Sequence, residues 1–320
     1  MRLQQARLPS YLWVLMRFAK YGPRLSLLAL LLLAPVVGCA GDGGGDGEAG
    51  SVLRIGAIPD QDPEKLQRLY GALATYLQQE LGVPVVYEPV TDYVAAVIAF
   101  RVGDLDMVWF GGLTGVQARL QVEGAEAILQ RGIDAEFHSV FIANSRSGWE
   151  AVDDVAGLAR LEGHTFTFGS ESSTSGRLMP QYYLEQAGVT LADFRGEVGF
   201  SGSHDKTIKL VEAGTFSAGA LNEQVWRSRV ASGDVDLARV HVIWRTPAYY
   251  DYHWLVSPLV GKRFGAGFVE KVRSAFTNLD ADVPRHNEIL DLFGAERFIA
   301  TQNSNYDQIE SIGRAIRKIK

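Results

Sequence analysis

The chain has 320 residues, 47% of them hydrophobic and 21% charged, with 31 basic against 37 acidic side chains and a net charge of −6. That balance excludes nucleic acid and anionic membrane surfaces as general partners, because both select a basic face. A single cysteine excludes a disulfide framework, and the length is sufficient for two domains of ordinary size.

Residues 1–38 carry five basic groups, Arg2, Arg7, Arg17, Lys20 and Arg24, and no acidic one. An apolar run over 25–37, broken only by Ser26 and Pro35, is shorter than the roughly 20 residues of a spanning helix. It reads as the apolar region of a signal peptide. The run ends in Val36-Val37-Gly38-Cys39, small and apolar residues before a cysteine, which resembles a lipobox. Cys39 is therefore expected to become the lipidated first residue of the mature chain; Met16 offers a second, more compact start for the same signal. Loss of 1–38 leaves 26 basic and 37 acidic residues, net −11, so any anion site must be built locally. Residues 39–51, with the stretch GDGGGDGEAG, cannot pack a core and form a flexible tether spanning roughly 15–20 Å.

From residue 52 strands and helices alternate. Strands are expected at 52–58, 83–90, 105–110, 125–130 and 137–143, with helices at 63–81, 91–102 and 113–122 between them. Leu66, Leu69, Leu73 and Leu77 share one face of the first helix, Gly82 ends it, and Thr91 or Asp92 caps the second. The pattern restarts with strands at 164–168, 197–200, 217–221, 241–244 and 253–256 and helices at 175–186, 204–212 and 223–229. Helices at 268–276, 286–292 and 305–319 complete the chain. Repeated strand–helix units predict an α/β fold with parallel sheets. Two runs predict two lobes, 52–148 plus 246–320 and 149–245.

Ligands of open α/β sheets bind at strand carboxyl ends, against helix N-termini whose free N–H groups attract anions. The strongest such junction is Gly169-Ser170-Glu171-Ser172-Ser173-Thr174-Ser175-Gly176: Ser173, Thr174 and Ser175 each offer a hydroxyl donor, and Gly176 lets the backbone approach. Ser201-Gly202-Ser203-His204-Asp205 places a histidine at a second helix start. Thr91-Asp92-Tyr93 and Trp109-Phe110-Gly111-Gly112 put aromatics at two more strand ends, where core packing competes as an explanation. Tyr249-Tyr250-Asp251-Tyr252 gathers aromatics around one carboxylate, as a cleft wall or an interlobe hinge.

In this order and at these intervals, the motifs at Tyr93, Trp109-Phe110-Gly111, Ser173-Thr174-Ser175-Gly176 and Ser203-His204-Asp205 resemble the phosphonate- and phosphite-binding proteins of bacterial ABC importers. The resemblance implies a bilobal periplasmic-binding fold with two Rossmann-like lobes. It implies that Ser173, Thr174, Ser175 and His204 hold an oxyanion head, that Tyr93 and Phe110 wall the pocket, and that a monomer outside the inner membrane delivers its ligand to a permease. Two departures stand out. Phe110 occupies a position where many members have tyrosine, and the segment around Asp251 is similar to the branch named for selenate. Asp205 and Asp251 are candidates to pair with an amine on an aminoalkylphosphonate, or to accept local hydrogen bonds.

A binding protein needs no cofactor and no catalytic group. A hydrolase would use Ser175 and His204, but Asp205, adjacent in sequence, is poorly placed to orient its neighbour's ring, and no G-x-S-x-G elbow is present. The six histidines show no metal-ligand spacing. A sensor built on the same two lobes is the alternative within the binding class.

Overall fold

The computed structural model describes residues 51–320. The expected signal peptide, the expected lipidation site at Cys39 and the expected tether through Gly50 lie outside the described residues.

The first lobe starts with β1 (Leu53–Ala57), α1 (Pro63–Leu81), β2 (Val85–Tyr87), α2 (Tyr93–Val102), β3 (Met107–Phe110), α3 (Gly112–Arg119) and β4 (Glu126–Arg131). Asp62 caps α1 by accepting from the N–H groups of Glu64 and Lys65, and Gly82 ends it at a φ of 72°. Asp92, not Thr91, caps α2 through the Ala95 N–H at 2.8 Å. The second lobe contains β5 (Ser139–Asn144), β6 (Phe166–Phe168), a π-helical turn at Thr174–Leu178, α4 (Met179–Gln186), β7 (Gly199–Phe200), α5 (His204–Glu212), β8 (Ala218–Asn222), α6 (Glu223–Ala231) and β9 (Val240–Arg245). The chain then returns through β10 (His253–Val256), α7 (Leu259–Phe264), α8 (Phe268–Thr277), α9 (Pro284–Phe293), β11 (Phe298–Ala300) and α10 (Asp307–Ala315).

Two sheets result, ordered β11-β4-β10-β3-β1-β2 and β7-β6-β8-β5-β9. They are mixed rather than parallel: β10 runs antiparallel to β3 and β4, and β5 antiparallel to β8 and β9. β5 and β10 each enter their sheet directly from the other lobe, with no helix to carry them back to the starting end, and β11 adds a third antiparallel strand beside β4. Two short elements, α7 and β11, were not expected from sequence; β11 has only three residues and weak periodicity.

The expected lobe boundary at 148 needs correction, because the strand around Phe141 belongs to the second sheet. Every residue of β5 is buried, and its side chains alternate between two packed layers. Val140 and Ile142 join Ile208 and Val211 of α5, while Phe141 packs on Phe166 and Trp244 with centroids 6.0 and 5.6 Å apart. A strand covered on both faces is central, so the chain crosses between 131 and 139. The chain returns to the first sheet over 246–252, between β9 and β10.

The crossings pair with each other. Phe137 and Tyr249 exchange N–H···O bonds of 2.8 and 3.0 Å, Thr246 N–H donates to the Ser139 carbonyl, and Asp251 N–H donates to that of Asp134. The lobes thus share a short antiparallel hinge.

Gly115 on α3 lies against the His253 ring, which is backed by Tyr306 with centroids 4.0 Å apart and planes tilted by 38°. Gly115→Ala is expected to lower stability by about 1–3 kcal/mol in denaturant unfolding. Gly71→Ala, in open space on α1, is expected to gain about 0.5–1 kcal/mol in the same assay.

Candidate functional site

The two lobes are closed on each other at the carboxyl ends of their strands. On the first lobe, the start of α3 follows β3 without a side-chain cap. Its N–H groups reach outward instead: Gly112 donates to Asp251 Oδ1 at 2.8 Å and Leu113 to Thr174 Oγ1 at 2.9 Å. A Cβ at Gly111 would lie 3.1 Å from Thr174 Oγ1 and 3.2 Å from Asp251 Oδ1, so glycine permits this approach. One helix start thereby engages a second-lobe hydroxyl and a hinge carboxylate together.

On the second lobe, Ser173 caps the π-helical turn by accepting from the Gly176 N–H at 2.9 Å. Gly176 packs tightly: a Cβ there would meet Ser173 Oγ at 3.0 Å and His204 Cε1 at 3.2 Å. Ser173, Thr174 and Ser175 are at most 3% exposed. Ser173 and Thr174 are engaged as described, whereas Ser175 Oγ is buried without a partner.

Three unpartnered polar atoms gather here: Tyr93 Oη, Ser175 Oγ and Asp251 Oδ2. Tyr93, at the start of α2, lies beside the Ser173 hydroxyl without a formed hydrogen bond and feels the charge of Asp251. Ser175 lies beside Tyr249, which also feels Asp251 and bonds Ser139 Oγ at 2.7 Å. Burial pushes Asp251 up to about 7, against the pull of the Gly112 N–H and the Thr174 hydroxyl. Buried donors and acceptors without partners cost about 1–3 kcal/mol each, and they concentrate where a ligand completes the set.

Beside this cluster runs a second network, most of which sequence reasoning missed. Tyr252 Oη donates to Asp60 Oδ2 at 2.8 Å and accepts from Asn222 Nδ2 at 3.1 Å. His204 Nε2 lies 3.3 Å from the same hydroxyl, and its Nδ1 accepts from the Asn222 N–H at 3.4 Å. These partners assign the ring proton to Nε2. Burial depresses His204 to about 4, so the ring is neutral. His204 was expected to hold the oxyanion head; here both ring nitrogens serve the lobe–lobe network instead. Asp60, raised to about 6 by burial, also accepts the His204 N–H through its carbonyl at 3.1 Å. Tyr252 stacks on Trp109 at 5.8 Å, and the Arg131 guanidinium lies 5.4 and 5.2 Å from those two rings while pairing with the fully buried Asp134. The missed Asp60 had a usable signal, since it follows a strand end at a helix start.

Two further expectations change position. Phe110 is fully buried and packs edge-on against Phe100 of α2 at 5.9 Å. Alternation along β3 sends Phe110 and Trp109 to opposite faces, and it is Trp109 that stacks on Tyr252. Asp205 points away from the three unpartnered atoms: its oxygens accept from Asp62 N–H at 2.9 Å and pair with Arg229 Nε at 2.6 Å, at the outer rim between the lobes.

A family model described as the periplasmic substrate-binding protein of phosphonate ABC transporters matches residues 55–306. The chain is 48% identical over 270 residues to a probable ABC transporter phosphite-binding protein, PhnD1, of Prochlorococcus marinus, covering 84% of this chain and 91% of that one. The solved structure of that PhnD1 in complex with methylphosphonate superposes with a TM-score of 0.82, covering 84% of this chain and 99% of the other. A binding component of a phosphonate ABC transporter from Pseudomonas aeruginosa, 20% identical, shares the fold with a TM-score of 0.71 over 82% of this chain and 85% of its own. The bilobal periplasmic-binding fold and the match over most of the chain place this protein in the family of phosphonate-binding periplasmic proteins of ABC transporters.

Proposed function

We propose that the protein binds a small phosphorus oxyanion with a hydrogen or methyl substituent in the cleft at Tyr93, Thr174, Ser175 and Asp251, and hands it to an importer as a lipoprotein anchored through Cys39. The carrying observation is the convergence of Tyr93 Oη, Ser175 Oγ and Asp251 Oδ2, three buried polar atoms without partners, at a helix start rich in hydroxyls. The similarity to the phosphite-binding PhnD1, and to its methylphosphonate complex, supports the ligand class. The anchor rests on the sequence around Cys39.

Asp251 gives the site a preference among oxyanions. An ionised carboxylate beside a fully ionised oxyanion is repulsive, so the pair must share one proton. Phosphonate and phosphite lose their last proton near neutrality and can supply it. Selenate and sulfate lose theirs in strong acid and cannot. Asp251, raised to about 7, holds that proton itself at lower pH, so its preference for phosphorus oxyanions over selenate sets in as pH rises above neutrality; the closed form is selected because it alone contacts the ligand from both lobes.

Calorimetric titration with phosphite, methylphosphonate, 2-aminoethylphosphonate, phosphate, selenate and sulfate tests this. Tight binding of phosphite or methylphosphonate with weak selenate binding is expected; selenate binding equal to these, or silence across the panel, overturns it. Ser175→Ala is expected to weaken methylphosphonate by about tenfold or more, the scale of one charge-assisted hydrogen bond. Affinity is expected to fall as pH rises above 7 and the shared proton is lost, and Asp251→Asn to remove that dependence.

Asp251 also marks the stability profile. Its folded pKa, raised from 3.8 to about 7, makes the ionised side chain a burden on the folded state that grows with pH across this window and is constant above it. In unfolding at pH 8 relative to pH 5, Asp251→Asn should therefore gain stability against the wild type, by an amount on the order of 2–4 kcal/mol. An unchanged difference between the two pH values would show that Asp251 ionises freely.

A further inference from the structure

Away from the ligand cleft, a cavity of about 310 Å³ opens between the lobes at the start of α1. Asp62, Lys65 and Arg68 form its first-lobe wall; Asp205 and Lys209 of α5, Arg229 of α6 and Asp234 form the polar part of the second. Its charges are unevenly matched. The Asp62 carboxylate is committed to capping α1, Asp205 to the Asp62 N–H and Arg229, and Asp234 to Ser232 and Arg229. Lys209 reaches Glu212 at 3.0 Å and the Asp234 carbonyl at 2.5 Å. On the facing wall, Lys65 Nζ bonds only the neutral Gln61 side chain, at 2.7 Å, and Arg68 has neither an ion pair nor a hydrogen bond among the described residues. Lys65 and Arg68 are one helical turn apart on α1, so both present to the same space.

We propose that this cavity is a second anion site, taking a multivalent phosphate-class oxyanion that bridges Lys65 and Arg68 of one lobe to Arg229 of the other. Across the gap the Asp205 carboxylate reaches the Asp62 N–H and is paired with Arg229, while Lys65 and Arg68 have no carboxylate partner of their own among the described residues. Burial first, and then the charge of Arg229, pull the Lys65 amine below its ordinary value, against the opposing pull of Asp60 and Asp205. A bridging oxyanion turns that repulsion into two attractions, and only the closed lobes place all three cations around it. Since it binds the closed form preferentially, it must tighten the cleft ligand, and the cleft ligand must tighten it by the same factor.

The probe is inorganic pyrophosphate, titrated calorimetrically into the protein with and without saturating methylphosphonate. Saturable binding of one pyrophosphate per chain is expected with the cleft filled, with methylphosphonate affinity raised about fivefold in return. The Lys65→Ala/Arg68→Ala variant is expected to lose about tenfold or more of pyrophosphate affinity while keeping its thermal unfolding temperature without anion. No saturable heat in either titration, equal heat in wild type and variant, or binding without any reciprocal effect would overturn the proposal. If methylphosphonate itself gives no heat, the cleft assignment fails, and the titration without it still tests this site.

Discussion

The closed arrangement depends on one buried phenol. Tyr252 leaves the hinge and offers its hydroxyl to Asp60 of the first lobe, while Asn222 and His204 of the second lobe converge on the same oxygen. A single hydroxyl has one proton to give and two lone pairs to fill, and all three are engaged here. None of these groups is more than 4% exposed, so each bond forms where water cannot replace it. The aromatic face of Tyr252 is fixed as well, stacked on Trp109 beneath the Arg131 guanidinium. With this residue held on both its edge and its face, neighbouring Asp251 has little freedom, and neither have the two helix starts that meet it.

The neutrality of His204 follows from the same arrangement and changes how the cleft handles charge. A protonated imidazole would attract an oxyanion strongly but would be costly to bury. The chain instead buries the neutral ring and gives it a structural part. Polarity toward a ligand is left to hydroxyls, helix N–H groups and one carboxylate of shifted acidity. Such a site carries no fixed positive charge at its centre, in keeping with an acidic chain that must still admit an anion.

Much of this was legible from sequence because local chemistry decides it. The cap at Asp92, the leucine face of α1 and the hydroxyl run before Gly176 follow from short-range rules, and the structure has each at a helix or helical turn. What local rules could not give was where the chain changes lobes. A strand buried on both faces looks the same in either sheet, so β5 was assigned to the wrong side of the crossing. The parts of Asp60, Asn222 and Arg131 were also hidden, since their partners Tyr252, Tyr252 and Gln224 lie 192, 30 and 93 residues away. His204 was found for its place at a helix start, whereas the Asn222 and Tyr252 groups beside its two ring nitrogens are visible only in space.

The position of Asp251 in the paired crossings has a consequence for how specificity can evolve. On the proposed reading, the residue that would discriminate among anions also ties the hinge together, through its N–H to Asp134 and its carboxylate to Gly112. Any replacement there shifts the fraction of molecules closed before ligand arrives. Observed affinity is the intrinsic affinity scaled by that fraction. Selectivity and resting closure are thus one inherited trait in this chain, and a lineage that retunes the anion it prefers must also retune how much of the population stands open to receive it.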